Sequence, residues 1–278
     1  MQKRYKLQGP VMKFVTNHYK TDLGLFRLKE FLCIFLLAIS ILKATTLTDP
    51  FRLEVRHIES KGIGYNQGYS TFEAFYASTE AWKGSGTPFL DVQGHLFNNG
   101  RAAVNAGIGV RYGVSRVWGM NGFYDYRNTF RGHYNQVSFG LESLGRVWDF
   151  RLNIYHPFGK KIHYFDAKKE FALQTVSGEA GIHVNTFEKS PLYFAAGPYY
   201  LNGEGKTAWG GKMRGSVDMY EHIRLEISSS YDHLYKWIGQ GQLSIFFLFG
   251  GKKEGKPRSE ESLQRAQRNE IIPVNCRQ

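Results

Sequence analysis

Two cysteines and eight prolines are few for a chain of 278 residues. Cys33 and Cys276 cannot make a disulfide framework. Cys33 lies in an apolar run with no small residue just before it, which argues against a lipoprotein anchor. Apolar runs are short as well. The longest, Phe31 to Leu42, falls below the roughly 20 residues that a membrane helix needs. With a mildly polar mean hydropathy, that excludes a bundle of membrane helices. Lysine is missing altogether between Lys83 and Lys160, and a soluble protein's exterior is usually rich in it. The net charge of +12 is mostly at the ends: residues 1–30 and 251–278 contribute +5 and +3, and residues 31–250 only +4. No basic stripe with stacking aromatics appears, so nucleic acid is not an expected partner.

The run from Phe31 to Leu42 follows a basic start and has the length of a signal-peptide core, roughly 7–15 residues. Residues 1–44 read as a leader cleaved after Ala44, with Met12 an alternative start and a buried core helix the alternative reading. The division that follows is leader 1–44, barrel 45–250 and polar tail 251–278. In the tail, Ser259 could cap a helix with Glu260 and Glu261 in its first turn and Pro273 at its end, a candidate to lie in a lumen.

Aromatics (15%) and glycines (31) are abundant, and between about 53 and 249 the hydropathy period is two. In "VWDFRLNIY" (147–155), Trp148, Phe150, Leu152 and Ile154 share one face, while Asp149, Arg151 and Asn153 share the other. The same alternation places Val110, Trp118, Phe139, Phe247 and Phe249 on an apolar face. It places Asp91, Arg111, Asn121, Asp125, Glu142, Glu179, His183 and Arg224 on a polar one. The runs are near ten residues, the length of a tilted strand that crosses a bilayer. Eleven lie near 70–77, 88–97, 102–112, 117–127, 135–142, 147–156, 175–185, 191–201, 209–219, 223–232 and 240–249. Long connections should face outward from the cell and short ones the periplasm. Connections after 127, 156, 201 and 232 read as long. That parity requires one more strand in front, and "LEVRHIES" (53–60) supplies it.

The expected fold is therefore all-β: a twelve-stranded, up-and-down antiparallel barrel in the outer membrane, apolar face to lipid and polar face to an interior lumen. Eight strands already suffice for a packed interior, so twelve favour a wet one. Aromatics cluster near strand ends on the apolar face (Tyr112, Trp118, Tyr126, Trp148, Phe249), as interfacial girdles do. Phe246 and Leu248 break the alternation.

Four segments, "GIGVRY" (107–112), "GMNGFYDYR" (119–127), "NQVSFGLE" (135–142) and "DFRLNIYHPFG" (149–159), together resemble the β-domain of inverse autotransporters, the intimin/invasin type. The resemblance spans Phe89 to Pro157 and is looser from 175 to 249. It implies a twelve-stranded outer-membrane barrel with lipid and the outer-membrane assembly machinery as partners. Family members continue into long extracellular adhesive domains; about 28 residues follow Gly250 here, so no long passenger is expected.

Chemical motifs are weak. "GEGKT" (203–207) lacks the glycine a phosphate loop needs at position 200, where Tyr200 stands, and "GIGYNQG" (62–68) precedes no helix. No metal spacing occurs among nine histidines, and no cofactor is expected. Asp149, His156 and His183 could be imagined as a hydrolase cluster; as hydrogen-bonding partners inside a barrel they need no catalytic role. The polar-face acids and bases would set a pore's field or pair to hold the barrel or grip a plug. The functional expectation is a stand-alone pore or plugged scaffold. The alternatives are a surface-interaction protein whose outer loops (158–174, 233–239) meet an extracellular partner, and an outer-membrane hydrolase.

Overall fold

A computed structural model describes residues 49–78, 86–113, 115–165, 168–184, 191–220, 222–250 and 264–277. The expected leader over 1–44 and its cleavage site lie outside them. The strands in chain order are β1 (Phe51–Glu59), β2 (Tyr69–Ala77), β3 (Thr87–Phe97), β4 (Ala102–Tyr112) and β5 (Arg116–Asn128). There follow β6 (His133–Gly145), β7 (Trp148–Phe158), β8 (Ile162–Phe165), β9 (Lys168–Ala172) and β10 (Gln174–Val184). The last are β11 (Leu192–Gly203), β12 (Lys206–Met219), β13 (Ile223–Asp232), β14 (Lys236–Phe249) and β15 (Val274–Arg277). β1 to β7 and β10 to β14 form one closed antiparallel barrel of twelve strands; β8, β9 and β15 form a separate small sheet.

Closure is made by the strand that the sequence marks least clearly. β1 pairs with β2 on one side and β14 on the other, from Phe51↔Phe249 to Glu59↔Gly241. Its signature is faint because its inward face is unusually charged: Arg52, Glu54 and Arg56 are all buried.

Burial is inverted relative to a soluble protein. Ile227 is 73% and Trp118 61% exposed, while Asp149, Asp91 and Asp125 are at 0%. Trp148, Phe150, Leu152, Ile154 and Phe139 are exposed on the outer surface; Val110, Phe247 and Phe249 are on the same side, partly covered. Aromatics ring both ends. Tyr112, Trp118, Trp148 and Phe249 lie toward the mouth where β1 begins, and Tyr124, Trp209, Tyr231 and Trp237 toward the other. We take the first mouth as periplasmic, where both ends of the barrel sequence lie.

The interior is less wet than the alternation implies. Inward aromatics lie over inward glycines: Phe123 over Gly107, Phe89 over Gly109, Tyr199 over Gly210. A methyl group at any of these glycines would sit about 2.3 Å from the ring. This pairing explains why glycine and aromatics are enriched together. Phe246, which breaks the alternation, points inward at the periplasmic mouth, where the Arg52 guanidinium stacks 4.4 Å above its ring and Arg224 approaches at 5.8 Å. Nothing in the structure explains Leu248.

Several loops differ from expectation. β11 and β12 run further than the alternation shows and join through a two-residue turn at Glu204 and Gly205, both at positive φ. "GEGKT" is thus a hairpin tip. β14 begins at Lys236, so most of 233–239 is strand. The long connection 158–174 is not irregular; it carries the β8–β9 hairpin.

Leu152 stands mid-strand on the lipid face, opposite Leu141 and Gly178. Leu152→Arg should lower stability by about 2–4 kcal/mol, the cost of a guanidinium near the bilayer midplane. Urea unfolding of the barrel in vesicles, read by the heat-modifiable gel band, measures it.

Candidate functional site: a lumen occupied by the chain's own tail

The described tail, residues 264–277, runs through the barrel from the β4–β7 wall to the outer mouth. It is extended, with no helix in 264–273; residues 259–263, where the expected helix would begin, lie outside the described residues. An extended chain can offer its carbonyls to barrel side chains, whereas a helix would have used them internally.

Barrel side chains accept that offer. Arg111 donates to the carbonyl of Gln264 and Arg127 to that of Ile272. Asn105 Nδ2 donates to Glu270 O at 2.8 Å, and Asn153 Nδ2 to Gln267 O at 3.3 Å. The amide of Asn269 donates to the Tyr155 hydroxyl at 2.6 Å.

Ionic contacts hold the tail's side chains, and Arg265 also comes within 3.8 Å of Glu73. Glu270 accepts from Arg56 of β1 at 2.6 Å and from Arg265 of the tail itself at 2.6 Å. Arg56 also pairs with Glu73 and Glu54, so one fully buried guanidinium ties β1, β2 and the tail together. Arg268 reaches Asp125 at 2.5 Å and Ser138 at 2.9 Å, and stacks over Phe123 at 4.2 Å. Apolar contacts fill the gaps. Ala266 joins Phe75, Phe89 and Phe123; Ile271 joins Ile58, Tyr69 and Phe97; Ile272 and Val274 join Tyr134 and Ala172.

At the outer mouth the tail becomes strand β15 and pairs with β9, Val274↔Ala172 to Arg277↔Lys169. Tyr235 donates to the Val274 carbonyl at 2.9 Å; burial, then Asp232, hold its hydroxyl above the usual range, so it stays a donor. Cys276 is exposed; burial of its sulfur and then Glu170 raise its thiol, which disfavours a reactive thiolate. Gly64, at φ +80, lets the β1–β2 loop meet the tail backbone: a Cβ there would lie 2.4 Å from Val274 N.

The polar-face residues fall into two groups. Arg111 pairs with Glu142 at 2.6 Å, and Asp91 accepts from Gln93. Asn121 and Asn153 flank Gly140. These, with Asp125, lie on the wall that the tail covers. Asp149, Arg151, Glu179 and His183 form a second cluster: Asp149 accepts from Arg151 and meets His183, both at 3.0 Å, while Arg151 donates to Glu179 at 3.3 Å and to Tyr193 at 2.6 Å. Arg224 grips Asp218 through two bonds of 2.5 and 2.8 Å. The imagined hydrolase cluster is split: His156 is exposed on the outer face, away from Asp149. Sequence reasoning missed Arg56, Glu73, Arg127 and Arg214, and the tail's Arg265, Arg268 and Glu270.

The tail sits off-centre against β1–β7. Facing the β10–β14 wall it leaves a cavity lined by Glu179, Lys212, Ser228 and Gln240. A second cavity opens toward the periplasmic mouth beside Arg146, His183 and Arg224. Arg151, Arg214 and Gln267 belong to the walls of both. Among the described residues no group of His, Cys, Asp and Glu is arranged to hold a metal ion.

Glu270→Gln removes the countercharge of two buried guanidiniums and should cost about 3–5 kcal/mol, read as a lower denaturation midpoint. Gly64→Ala should free the tail for protease cleavage in the folded barrel. Gly100→Ala is the control: Gly100 has the same positive φ (+81) with nothing within 4 Å of a Cβ. Equal protease resistance of the two variants would reject the Gly64 seat.

Residues 54–177 match the family model described as inverse autotransporter, β-domain. Among solved structures, a membrane-protein chain from work on in-meso crystallization is similar with TM-score 0.63 and 12% identity, covering 82% of this chain and 100% of that one. An outer membrane channel from Pseudomonas putida F1 is similar with TM-score 0.52 and 8% identity, covering 74% and 97%. At such identities the likeness is one of fold. No curated protein matches the chain. The twelve-strand closure, the inverted burial and the match over 54–177 together make this an outer-membrane β-barrel, located in the bacterial outer membrane, whose residues 54–177 are similar to the inverse autotransporter β-domain.

Proposed function

We propose that the chain is a plugged scaffold: a barrel that holds residues 264–273 in the lumen and seats strand β15 at the outer mouth. The observation that carries this reading is Glu270, buried between Arg56 of the wall and Arg265 of the tail. A buried carboxylate without those partners would be costly, so the tail's charge pattern and the wall's suit one another. The barrel acts without turnover and needs no cofactor; its polar-face residues brace the wall and grip the tail. Its partners are outer-membrane lipid and, during biogenesis, the outer-membrane assembly machinery.

A second reading has its own support. The β8–β9–β15 sheet gives the outer mouth an ordered platform, with Lys160, Lys161 and Lys168 exposed on it. Such a platform suits contact with an extracellular partner.

Planar-bilayer conductance separates plug from open pore. Deleting residues 264–278 should raise single-channel conductance severalfold over the full chain. Equal conductance would reject the plug. Deleting Lys160–Lys169 without effect in every adhesion assay would count against the second reading.

A further inference from the structure

We infer that the outer face of β5–β7, at the extracellular edge of the membrane, binds a phosphate of the acylated glycolipid that forms the outer leaflet, with Lys161 as its main cation. The inference draws on the barrel's place in the outer membrane and not on the tail in its lumen.

Height along the barrel comes first. The outward residues of β7 run from Trp148 to Phe158. At about 3.3 Å per residue and a tilt of about 40°, that run rises about 25 Å, the height of the apolar band on such barrels. Trp148 therefore marks the periplasmic edge of the band and Phe158 the extracellular one. His156, exposed on the outer face, lies just inside that edge.

Cations appear where the band ends. Lysine is absent from β3 to β7 and returns as Lys160 and Lys161. Gly159, at φ +68, turns the chain between Phe158 and this pair. The Lys161 carbonyl accepts from the Ala172 amide at 3.0 Å, which fixes its backbone. Its ammonium then hangs beside the lipid face, with Nζ 3.5 Å from His156 Nε2. Acids of this mouth are engaged elsewhere among the described residues: Glu170 with Arg131, Glu204 with Lys169 and Glu59 with His57.

Neighbouring strands add donors and rings. Asn135 stands beside Phe158 in register, and Val137 beside His156. Tyr124 donates to Asn135 Oδ1 at 2.7 Å. The amide nitrogen is thereby turned toward Gly159, where a Cβ would lie 3.9 Å from it. With Nε2 facing the ammonium, the His156 ring offers Nδ1. Ammonium, imidazole and amide can thus meet one oxyanion, and charge-assisted bonds to phosphate are the strong ones. The rings of Tyr124 and Phe158, 6.2 Å apart and both exposed, offer an apolar surface to the acyl chain below. A soluble acidic partner would meet cations on top of the mouth. These groups lie on the side of the barrel, level with the end of the apolar face, and that position selects a lipid.

The test is a native mass-spectrometry titration of the full chain, refolded in a detergent of neutral headgroup, with folding of each variant confirmed by its heat-modifiable band. The probes are lipid A carrying both phosphates, lipid A with both removed, and glucosamine 1-phosphate as a soluble form of the headgroup. Phosphorylated lipid A should bind at least tenfold more tightly than either of the others. Lys161→Glu should lower that affinity at least tenfold. Lys161→Met, which keeps length and apolar stem, should lower it severalfold, and serves alone if the charge reversal fails to fold. Lys236→Glu is the control and should leave the affinity unchanged. Lys236 is exposed at the same mouth on β14, six strands from β6 in either direction around the barrel. Equal binding of dephosphorylated lipid A overturns the inference, and so does an affinity that ignores Lys161→Met. An equal loss from Lys236→Glu overturns it in favour of diffuse charge attraction. Glucosamine 1-phosphate bound as tightly as lipid A overturns the choice of a lipid in favour of a soluble anion. Each of these outcomes leaves the plugged barrel to be decided by conductance.

Discussion

A backbone amide in hydrocarbon has no water to turn to, and an unpaired one costs several kcal/mol. Every other feature of this molecule answers to that constraint. A sheet in lipid must close, so it needs a strand with two partners at the seam. β1 supplies it, joining Phe51–Glu59 to both β2 and β14. Because side chains alternate, closure also commits every second residue to the interior. A one-residue slip would carry Asp149 and Arg151 into lipid and Trp148 and Phe150 inside, so the register is fixed by the same energy that keeps lipid and water apart.

Twelve strands enclose more space than strand side chains fill. The chain meets this in three ways. Aromatics fold over inward glycines on adjacent strands. Arginines and carboxylates bridge neighbouring strands, as Arg111 and Glu142 do. The tail takes up much of what remains, using Arg265, Arg268 and Glu270 to complete networks that the wall leaves open. The wall of β10–β14 keeps its own charge pairs, Arg214 with Glu179 and Glu226 and Arg224 with Asp218, and so stands without the tail. That asymmetry is why the filling is lopsided.

The barrel was legible because its signal is repeated: alternation over ten residues, again and again, with "VWDFRLNIY" the clearest case. β1 was faint because Arg52, Glu54 and Arg56 crowd its inward face, and only the count of strands called for it. Loop lengths misled at β11–β12 and at β14, where glycine-rich and polar residues hide strand that the hydropathy does not mark. The tail was the least legible. "RAQRNEII" looks like a solvated charged stretch, since nothing local tells Glu270 that Arg56 waits 214 residues earlier. Pairing across that separation is a property of the closed barrel, and no window of sequence contains it.

The small sheet at the outer mouth has a consequence for the chain as a solution object. β9 is a central strand only while β15 lies beside it. Withdraw the tail, and Lys168–Ala172 becomes an edge whose amides and carbonyls face outward from the cell. Unpaired edges recruit strands from other molecules. Seating the tail therefore does two things in one motion: it fills the lumen, and it keeps the surface of one barrel from adding on to the next.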